Sequence, residues 1–413
     1  MSLNFLHCAD LHLGRSQFNS EERFEDFGRA FGQIVEYALE NEIDFLLICG
    51  DLFDRRNINA QTLIQATYHM KRLKDNSIPV IAIEGNHDRA FRRDRVSWMR
   101  YLAEENLIIL LKPQYNEGRL DLKPWEENSK TGSAVEINGV RIYGLGYPGA
   151  MTGRRLMELA QILPDKRGQF TLVMLHAGIR RMMGSEIGAL EEEEIEALRG
   201  KVDYLALGHL HRRYEIADWI FNPGAPECVD VDEATYEKGF YHVKVDESGF
   251  QADFIPSRRR DVYLDEIDVT GAPDPDSTIE MILSNIDWSR LSSMDRPIVR
   301  VTIVGEVKFN AMDIDSEEIK AGIMRNKDCL VVEVINNANL ISGPSQVPGL
   351  SSREEVERQV LRGLIEESGY AEWADELVEA ALDLRSMTQS RSDPSDIADY
   401  IKKLSARIHR AFR

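Results

Sequence analysis

A layered α/β fold is expected for this chain on three observations. Several apolar runs have strand length without polar alternation, the pattern of strands buried on both faces. Five of them end in Asp, Asn or His, and segments with helical periodicity stand between them.

The opening run "LNFL" leads into "HCADLHLG". The segment "EERFEDFGRAFGQIVEYALENE" places Phe24, Phe27, Phe31, Ile34, Val35 and Ala38 at helical spacing, which predicts the first helix. "IDFLLIC" then ends on Gly50 and Asp51, where the glycine permits a sharp exit from a buried strand. "IPVIAI" precedes "EGNHDRA", and "FTLVM" precedes "LHAG". The acidic run "LEEEEIEALRG" reads as a solvated helix face before "VDYLAL" and "GHLH". The strand-like segments "FYHVKV" and "FQADFI" follow, so a first domain of residues 1–256 is expected.

Past Arg260 the texture changes. "VYLDEIDV", "TIEMILSNI", "PIVRVTIVGEV", "SEEIKAGIMR" and "CLVVEVI" predict a small α+β domain over 257–340. "SGPSQVPGLSS" has linker composition, which places a linker at 341–352. A helical segment is expected over 353–413. Ser352 and Glu355 form a capping box for one helix, carrying Val356, Val360, Leu364 and Ile365, with Gly369 as its stop. Asp393 and Pro394 open a final helix whose Ile397, Tyr400, Ile401, Leu404, Ile408 and Phe412 share one face. The opposite face is basic at Lys402, Lys403, Arg407 and Arg410.

The chemistry sits at the strand ends, where α/β sheets bind ligands. They deliver Asp10, His12, Asp51, Asn86, His87, His176, His209 and His211. In Asp10-x-His12 and His209-x-His211 the spacing puts both side chains on one face of an extended chain. Oxygen and imidazole donors without thiolate suit Mn²⁺, Fe²⁺ or Zn²⁺, and this many donors with a carboxylate able to bridge suits two ions. A lone histidine is more often a satisfied core residue; the recurrence at successive strand ends points to a site. Asp51 is the candidate bridge.

Together "D-x-H", "GDLFD", "GNHD", "LHAG" and "GHLH" resemble the calcineurin-like metallophosphoesterases. "ADLHLG", "LALGHLHRR" and "FNPGAPECVDVDEATYEKGF" narrow the resemblance to the SbcD-type nucleases of DNA double-strand-break repair, over roughly the first 245 residues. It implies an α/β/β/α metallophosphoesterase sandwich with a small α+β capping domain that helps select DNA ends, and a C-terminal helical partner-binding segment. The implied cofactors are two divalent ions, Mn²⁺ foremost. One would take Asp10, His12, Asp51 and His211, and the other Asp51, Asn86, His176 and His209. His87 would stay off the metals as proton donor to the leaving group or clamp on the phosphate. Asp88 would orient that imidazole, or else cap the loop. The implied activity is exonuclease and endonuclease with an SbcC-like coiled-coil ATPase, on which Ile397, Ile401, Leu404 and Ile408 would dock, and with a second copy of the chain. Many archaeal and eukaryotic relatives carry a histidine three residues after the bridging aspartate. Here Asp54 stands there, as in bacterial members, so that histidine's role does not carry over.

Composition bounds these readings. A chain of 413 residues suits two or three domains. Its net charge of −20 is opposite to the basic footprint of a nucleic-acid protein. The runs "FRRDRVSWMR", "GIRRMMG" and "SRRR" offset it locally, and a partner supplying much of the DNA grip would reconcile the numbers. Arg55, Arg56 and Arg89, beside metal motifs, are the candidate DNA contacts; their plainer reading is solvated loop residues. Cys8, Cys49, Cys228 and Cys329 have no paired spacing, which fits a reducing cytoplasm. No leader and no membrane-length apolar run is read. Two further readings use the same residues: a phosphoesterase for small substrates such as a cyclic nucleotide or a phosphoprotein, and a DNA-end-binding scaffold of low activity.

Overall fold

The computed structural model describes residues 3–340 apart from 92, 93, 95, 165, 167 and 184–187, and beyond them 358, 361, 362, 365, 373–389 and 400. The chain forms two compact units, Met1–Leu340 and Ile341–Arg413.

The strands up to Pro256 are β1 (Leu3–Cys8), β2 (Phe45–Cys49), β3 (Val80–Ile83), β4 (Ile109–Leu110), the hairpin β5 (Gln114–Asn116) and β6 (Arg119–Asp121), β7 (Ala134–Ile137), β8 (Val140–Gly146), β9 (Thr171–His176), β10 (Tyr204–Gly208), β11 (Tyr214–Ile216), β12 (Ile220–Asn222), β13 (Gly239–Asp246) and β14 (Gly249–Pro256). Apart from the hairpin β5–β6, they build two six-stranded sheets, in the orders β14-β13-β1-β2-β3-β4 and β11-β12-β10-β9-β8-β7. Strands β1 to β4 run parallel in the first sheet, and β8, β9, β10 and β12 run parallel in the second.

The apolar runs lack alternation because each strand feeds two cores. In β2, Leu46 and Ile48 point to a core shared with the helices α1 (Glu21–Glu40) and α2 (Ala60–Asp75), whereas Phe45, Leu47 and Cys49 point between the sheets. In β10, Leu205 and Leu207 face the outer helices and Tyr204 and Ala206 face the first sheet. The inter-sheet layer is aromatic: Phe5 stacks on Phe45 at 5.0 Å, and Tyr204 on Phe221 at 4.6 Å. The result is the expected α/β/β/α sandwich, with the ligand-bearing ends of β1, β2, β3, β9 and β10 gathered at one edge.

The predicted first helix is α1, capped by Ser20 and burying Phe27, Phe31, Ile34, Val35 and Ala38. Past Arg260 a parallel three-stranded sheet forms from Val262–Asp268, Ile298–Val304 and Val331–Asn336. Helices Pro275–Asn285 and Ser316–Asn326 cover it over its own core of Tyr263, Ile282, Val299, Val301, Ile319 and Ile323. In the "SRRR" run two of the three arginines have partners within the chain, while Arg258 is exposed. Arg260 binds Asp26 of α1 through Nε at 2.6 Å and Nη2 at 3.0 Å, and Arg259 donates to the Ala234 carbonyl at 2.7 Å. Asp26 also accepts from the buried Arg23 at 2.6 Å, so these cations hold a buried carboxylate.

In the second unit Arg358, Leu361, Arg362 and Ile365 are helical, and a helix spans Ala374–Gln389. Arg358 and Arg362 pair with Glu379 and Asp375 of that helix, which no expectation covered. The Ser352/Glu355 box, the linker, and Ile397, Ile401, Leu404 and Ile408 lie outside the described residues. Among the described residues no helix is long and apolar enough to cross a membrane.

Candidate metal centre

The loops that follow β1 and β2 are held to each other before any ligand is considered. Asp10 N–H donates to the Gly50 carbonyl at 3.1 Å, His12 N–H to that of Asp51 at 3.1 Å, and Leu13 N–H to that of Leu52 at 2.9 Å. Asp10, His12 and Asp51 have φ of 54°, 46° and 51°, and His209 has 91°. Left-handed backbone is uncommon for residues other than glycine, although Asp and His tolerate it better than most, and it clusters where a fold over-determines a functional geometry. Gly50, at φ +89, explains the abrupt end of the apolar run: a Cβ there would stand 2.3 Å from His176 Nδ1.

Asp10 and Asp51 are both essentially buried, and each is anchored by a backbone donor. The His209 N–H reaches Asp10 Oδ1 at 3.1 Å and Oδ2 at 3.0 Å, and the His87 N–H reaches Asp51 Oδ1 at 2.8 Å. Asp51 Oδ2 lies 3.2 Å from His176 Nε2. His176 Nε2 and His209 Nδ1 both converge on Asn86 Oδ1 at 3.1 Å, and His12 Nε2 faces His211 Nε2 at 3.1 Å.

The outer hydrogen bonds set the tautomers. His176 Nδ1 donates to the Cys49 carbonyl at 2.8 Å, so Nε2 is the ring nitrogen that faces Asp51 and Asn86. His211 Nδ1 donates to Glu233 Oε1 at 2.6 Å, leaving Nε2 aimed at His12. Glu233 is itself held by Lys238 Nζ at 2.6 Å and the Val229 N–H at 3.0 Å. Carboxylate and amide oxygens and imidazole nitrogens thus face one another across the centre, an arrangement that a cation satisfies. Among the described residues two sets of donor atoms lie close enough to hold an ion, Asp10 with His12 and His211, and Asp10 with Asp51 and His176. The donor set therefore fits two hard or borderline divalent ions.

The field agrees. Burial works to raise the Asp51 pKa, yet His176, His12 and His87 around it hold the carboxyl below its ordinary range. Burial would lower that of His176, but Asp51 and Asp10 raise it to about 9. The pocket calls for positive charge. Asp10 enters both donor sets, whereas Asp51 enters one while lying among imidazoles from both; the expectation that Asp51 bridges now has a competitor.

His87 stands on the rim, its ring centroid 5.1 Å from that of His12. Its Nδ1 donates to the Asp54 carbonyl at 2.6 Å, so Nε2 is on the side of the ring away from that bond. Asp88 does not orient this ring. Its carboxylate accepts the N–H groups of Gly85 at 3.0 Å, Phe53 at 3.0 Å and Leu52 at 3.3 Å, which is the loop-cap role. Burial, followed by the charge of Asp51, pushes the Asp88 pKa up to about 7. Asp54, three residues after Asp51, takes Arg15 at 3.0 Å and lies 3.5 Å from His12 Nδ1. Against its burial, these two neighbours bring its pKa down to about 2.

Residues 3–213 match the family described as calcineurin-like phosphoesterase. This chain belongs to that family. It is 29% identical over 314 residues to the DNA double-strand break repair protein Mre11 of Sulfolobus acidocaldarius, covering 74% of this chain and 76% of that protein. It is 27% identical over 355 residues to the Mre11 of Archaeoglobus fulgidus, covering 77% and 76%. An uncharacterized metallophosphoesterase of Bacillus subtilis, YhaO, is 26% identical over 319 residues, covering 73% and 72%.

In this phosphoesterase the expected ligands Asp10, His12, Asp51, Asn86, His176, His209 and His211 lie in one cluster, with His87 beside it. The arginines divide. Arg55 is exposed and reaches Asp54 at 3.4 Å; Arg56 donates to the Asn86 carbonyl at 3.3 Å; Arg89 lines a cavity next to the centre. Sequence reasoning missed Glu233, the carboxylate behind His211. It lies inside the "DVDEATYEKGF" segment, but nothing about its spacing marks it, because its partner is 22 residues away. Tyr147 was missed as well: its ring lies 5.5 Å from that of His209 and 6.0 Å from that of His176.

Proposed function

We propose that this chain is a two-metal DNA nuclease that processes DNA ends in double-strand-break repair together with a coiled-coil ATPase. The observation that carries the reading is the convergence of carboxylate, amide and imidazole donors from both sheets on one centre, with His87 at its rim. The names of the archaeal relatives support DNA as the substrate.

Asp10, His12, Asp51 and His211 would hold one ion and Asp51, Asn86, His176 and His209 the other, Mn²⁺ by preference, with Asp10 able to share in place of Asp51. Such a pair supplies charge neutralisation at the phosphodiester and an activated water. The protein does the rest. The Cys49 carbonyl and Glu233 keep His176 and His211 in the tautomer that presents Nε2, and the His209 and His87 N–H groups fix the carboxylates. His87, steered by the Asp54 carbonyl and carrying a second proton on Nε2, would give that proton to the leaving oxygen or donate it in a hydrogen bond to a phosphate oxygen. Residues 257–340 would cap the nuclease and help select DNA ends. The stripe Ile397, Ile401, Leu404 and Ile408 would dock on the ATPase, beyond a linker at 341–352, and the chain would also pair with a second copy of itself.

Purified protein incubated with Mn²⁺ and labelled linear duplex DNA, with and without the ATPase, tests the reading. Shortened products are expected, in greater yield with the partner. Intact DNA alongside rapid hydrolysis of a small phosphodiester would replace the reading with that of a small-substrate enzyme.

A further inference from the structure

A cavity of about 270 Å³ opens beside the centre, between the ends of β3 and β8 and the segment that carries the β5–β6 hairpin. Tyr147 is its shared wall. The same ring that borders His176 and His209 lines this cavity, so a chain leaving the centre on that side passes along Tyr147 into it. Further in, Met151 and Tyr115 line it, and the Arg155 guanidinium lies over the Tyr115 ring at 4.3 Å from its centroid. Arg89 and Lys112 line it as well, Lys112 with an exposed head that reaches Glu84 at 2.8 Å.

Two aromatic rings, a thioether and cations, with the Glu84 carboxylate of the lining held by Lys112, do not suit a sugar or an inorganic anion alone. They suit a flat π-system attached to a phosphate. Pockets for drug-sized ligands run to roughly 300–1,000 Å³, and this cavity falls just below that range, a size for one base and not a base pair. We infer that this cavity is a nucleobase subsite: it takes the base of the nucleotide next to the scissile phosphate, with that strand unpaired, while Arg89 and Lys112 meet the following phosphate. A paired strand keeps its bases stacked inside the duplex, whereas an unpaired one turns them onto aromatic side chains. The inference rests on the nuclease reading and adds to it that the strand reaching the metals is single-stranded at this point.

The test uses the full chain with Mn²⁺ and two labelled strands of equal length, one normal and one built throughout of tetrahydrofuran abasic nucleotides. Both present the same phosphates to the metals. The normal strand is expected to be cleaved with a kcat/KM at least about fivefold higher, the lower end of what stacking one base contributes. Tyr115→Ala, which removes a stacking ring, and Met151→Trp, which fills the cavity, should each bring the ratio close to one. Lys112→Ala should weaken both strands alike and leave the ratio in place. Equal cleavage of the two strands by the unaltered protein, or an undiminished ratio in both cavity variants, overturns the subsite. Failure to cleave either strand overturns the nuclease reading, and the subsite with it.

Discussion

The two sheets contribute to the centre differently. The first sheet supplies every oxygen donor, Asp10, Asp51 and Asn86, and one imidazole, His12. The second supplies imidazoles alone, His176, His209 and His211. The first sheet's carboxylates sit on loops whose backbone is left-handed and cross-linked between β1 and β2, whereas His176 is still within β9. Two buried carboxylates repel, so each needs a fixed donor, and Asp10 takes its donor from the second sheet through the His209 N–H. Neither sheet can complete the centre alone. The aromatic inter-sheet core therefore does functional as well as structural duty, because it sets the distance between carboxylates and imidazoles.

The sharpest way to break this division is to neutralise the first sheet's charge. Asp51→Asn should abolish most activity and deplete both ions, a loss beyond the about 10–100-fold typical of an outer-shell partner. Metal content by mass spectrometry and turnover on linear DNA read it. Asp10→Asn, measured beside it, shows which carboxylate is shared: the variant that loses both ions carries the bridge. Near-normal turnover with two ions retained in Asp51→Asn would end its assignment as a ligand.

Next in size is a residue that belongs to the first sheet's loops but not to the ligand set. His87→Ala should lower turnover by about 10²–10⁴-fold, the usual scale of an acid–base group, with metal content unchanged. Loss of one ion per chain would make His87 a ligand instead.

A smaller effect is expected behind the second sheet. Glu233→Gln keeps the shape and removes the charge that orients His211, so the affinity of the ion on that side should fall about 10–100-fold while the other ion stays. Calorimetric titration of the metal-free protein with Mn²⁺ would show one weakened site and one unchanged. Two unchanged sites would reduce Glu233 to a partner of Lys238.

The smallest effect on activity at neutral pH is expected between the sheets. His7 is fully buried there, bonded to Tyr204 Oη and the Leu207 carbonyl at 2.9 Å each. Burial lowers its pKa to about 3. An unfolded chain takes up this proton near pH 6.5, whereas the folded one refuses it until about pH 3, so the unfolded state binds more protons in that window. Stability is full above pH 6.5 and declines as pH falls towards 3. Thermal melts of His7→Gln should show a shallower decline over this range, and a slope equal to that of the parent would place the acid sensitivity elsewhere.

Much of this was legible in the chain itself. Strand length, burial on both faces and the residue type at each strand end are local properties, so "IDFLLIC" before Gly50 and Asp51, or "VDYLAL" before "GHLH", announce themselves without partners. The amphipathic spacing of α1 is local in the same sense. What tertiary structure decided is which local groups meet. Asp88 follows His87 directly, yet its carboxylate turns to the N–H groups of Gly85, Leu52 and Phe53, while a carbonyl from Asp54 steers the imidazole. Adjacency in sequence does not fix side-chain direction in a loop. The three arginine-rich residues after Ser257 looked like a basic patch, and their destinations include a buried aspartate of α1 more than two hundred residues away. Glu233, Tyr147 and the cavity beside the metals carry no local signal, because each is defined by surfaces from several strands. Propensity and pattern act over a few residues, so they specify the parts; hydrogen bonds and contacts across the inter-sheet core act over the whole chain, and they decide the chemistry.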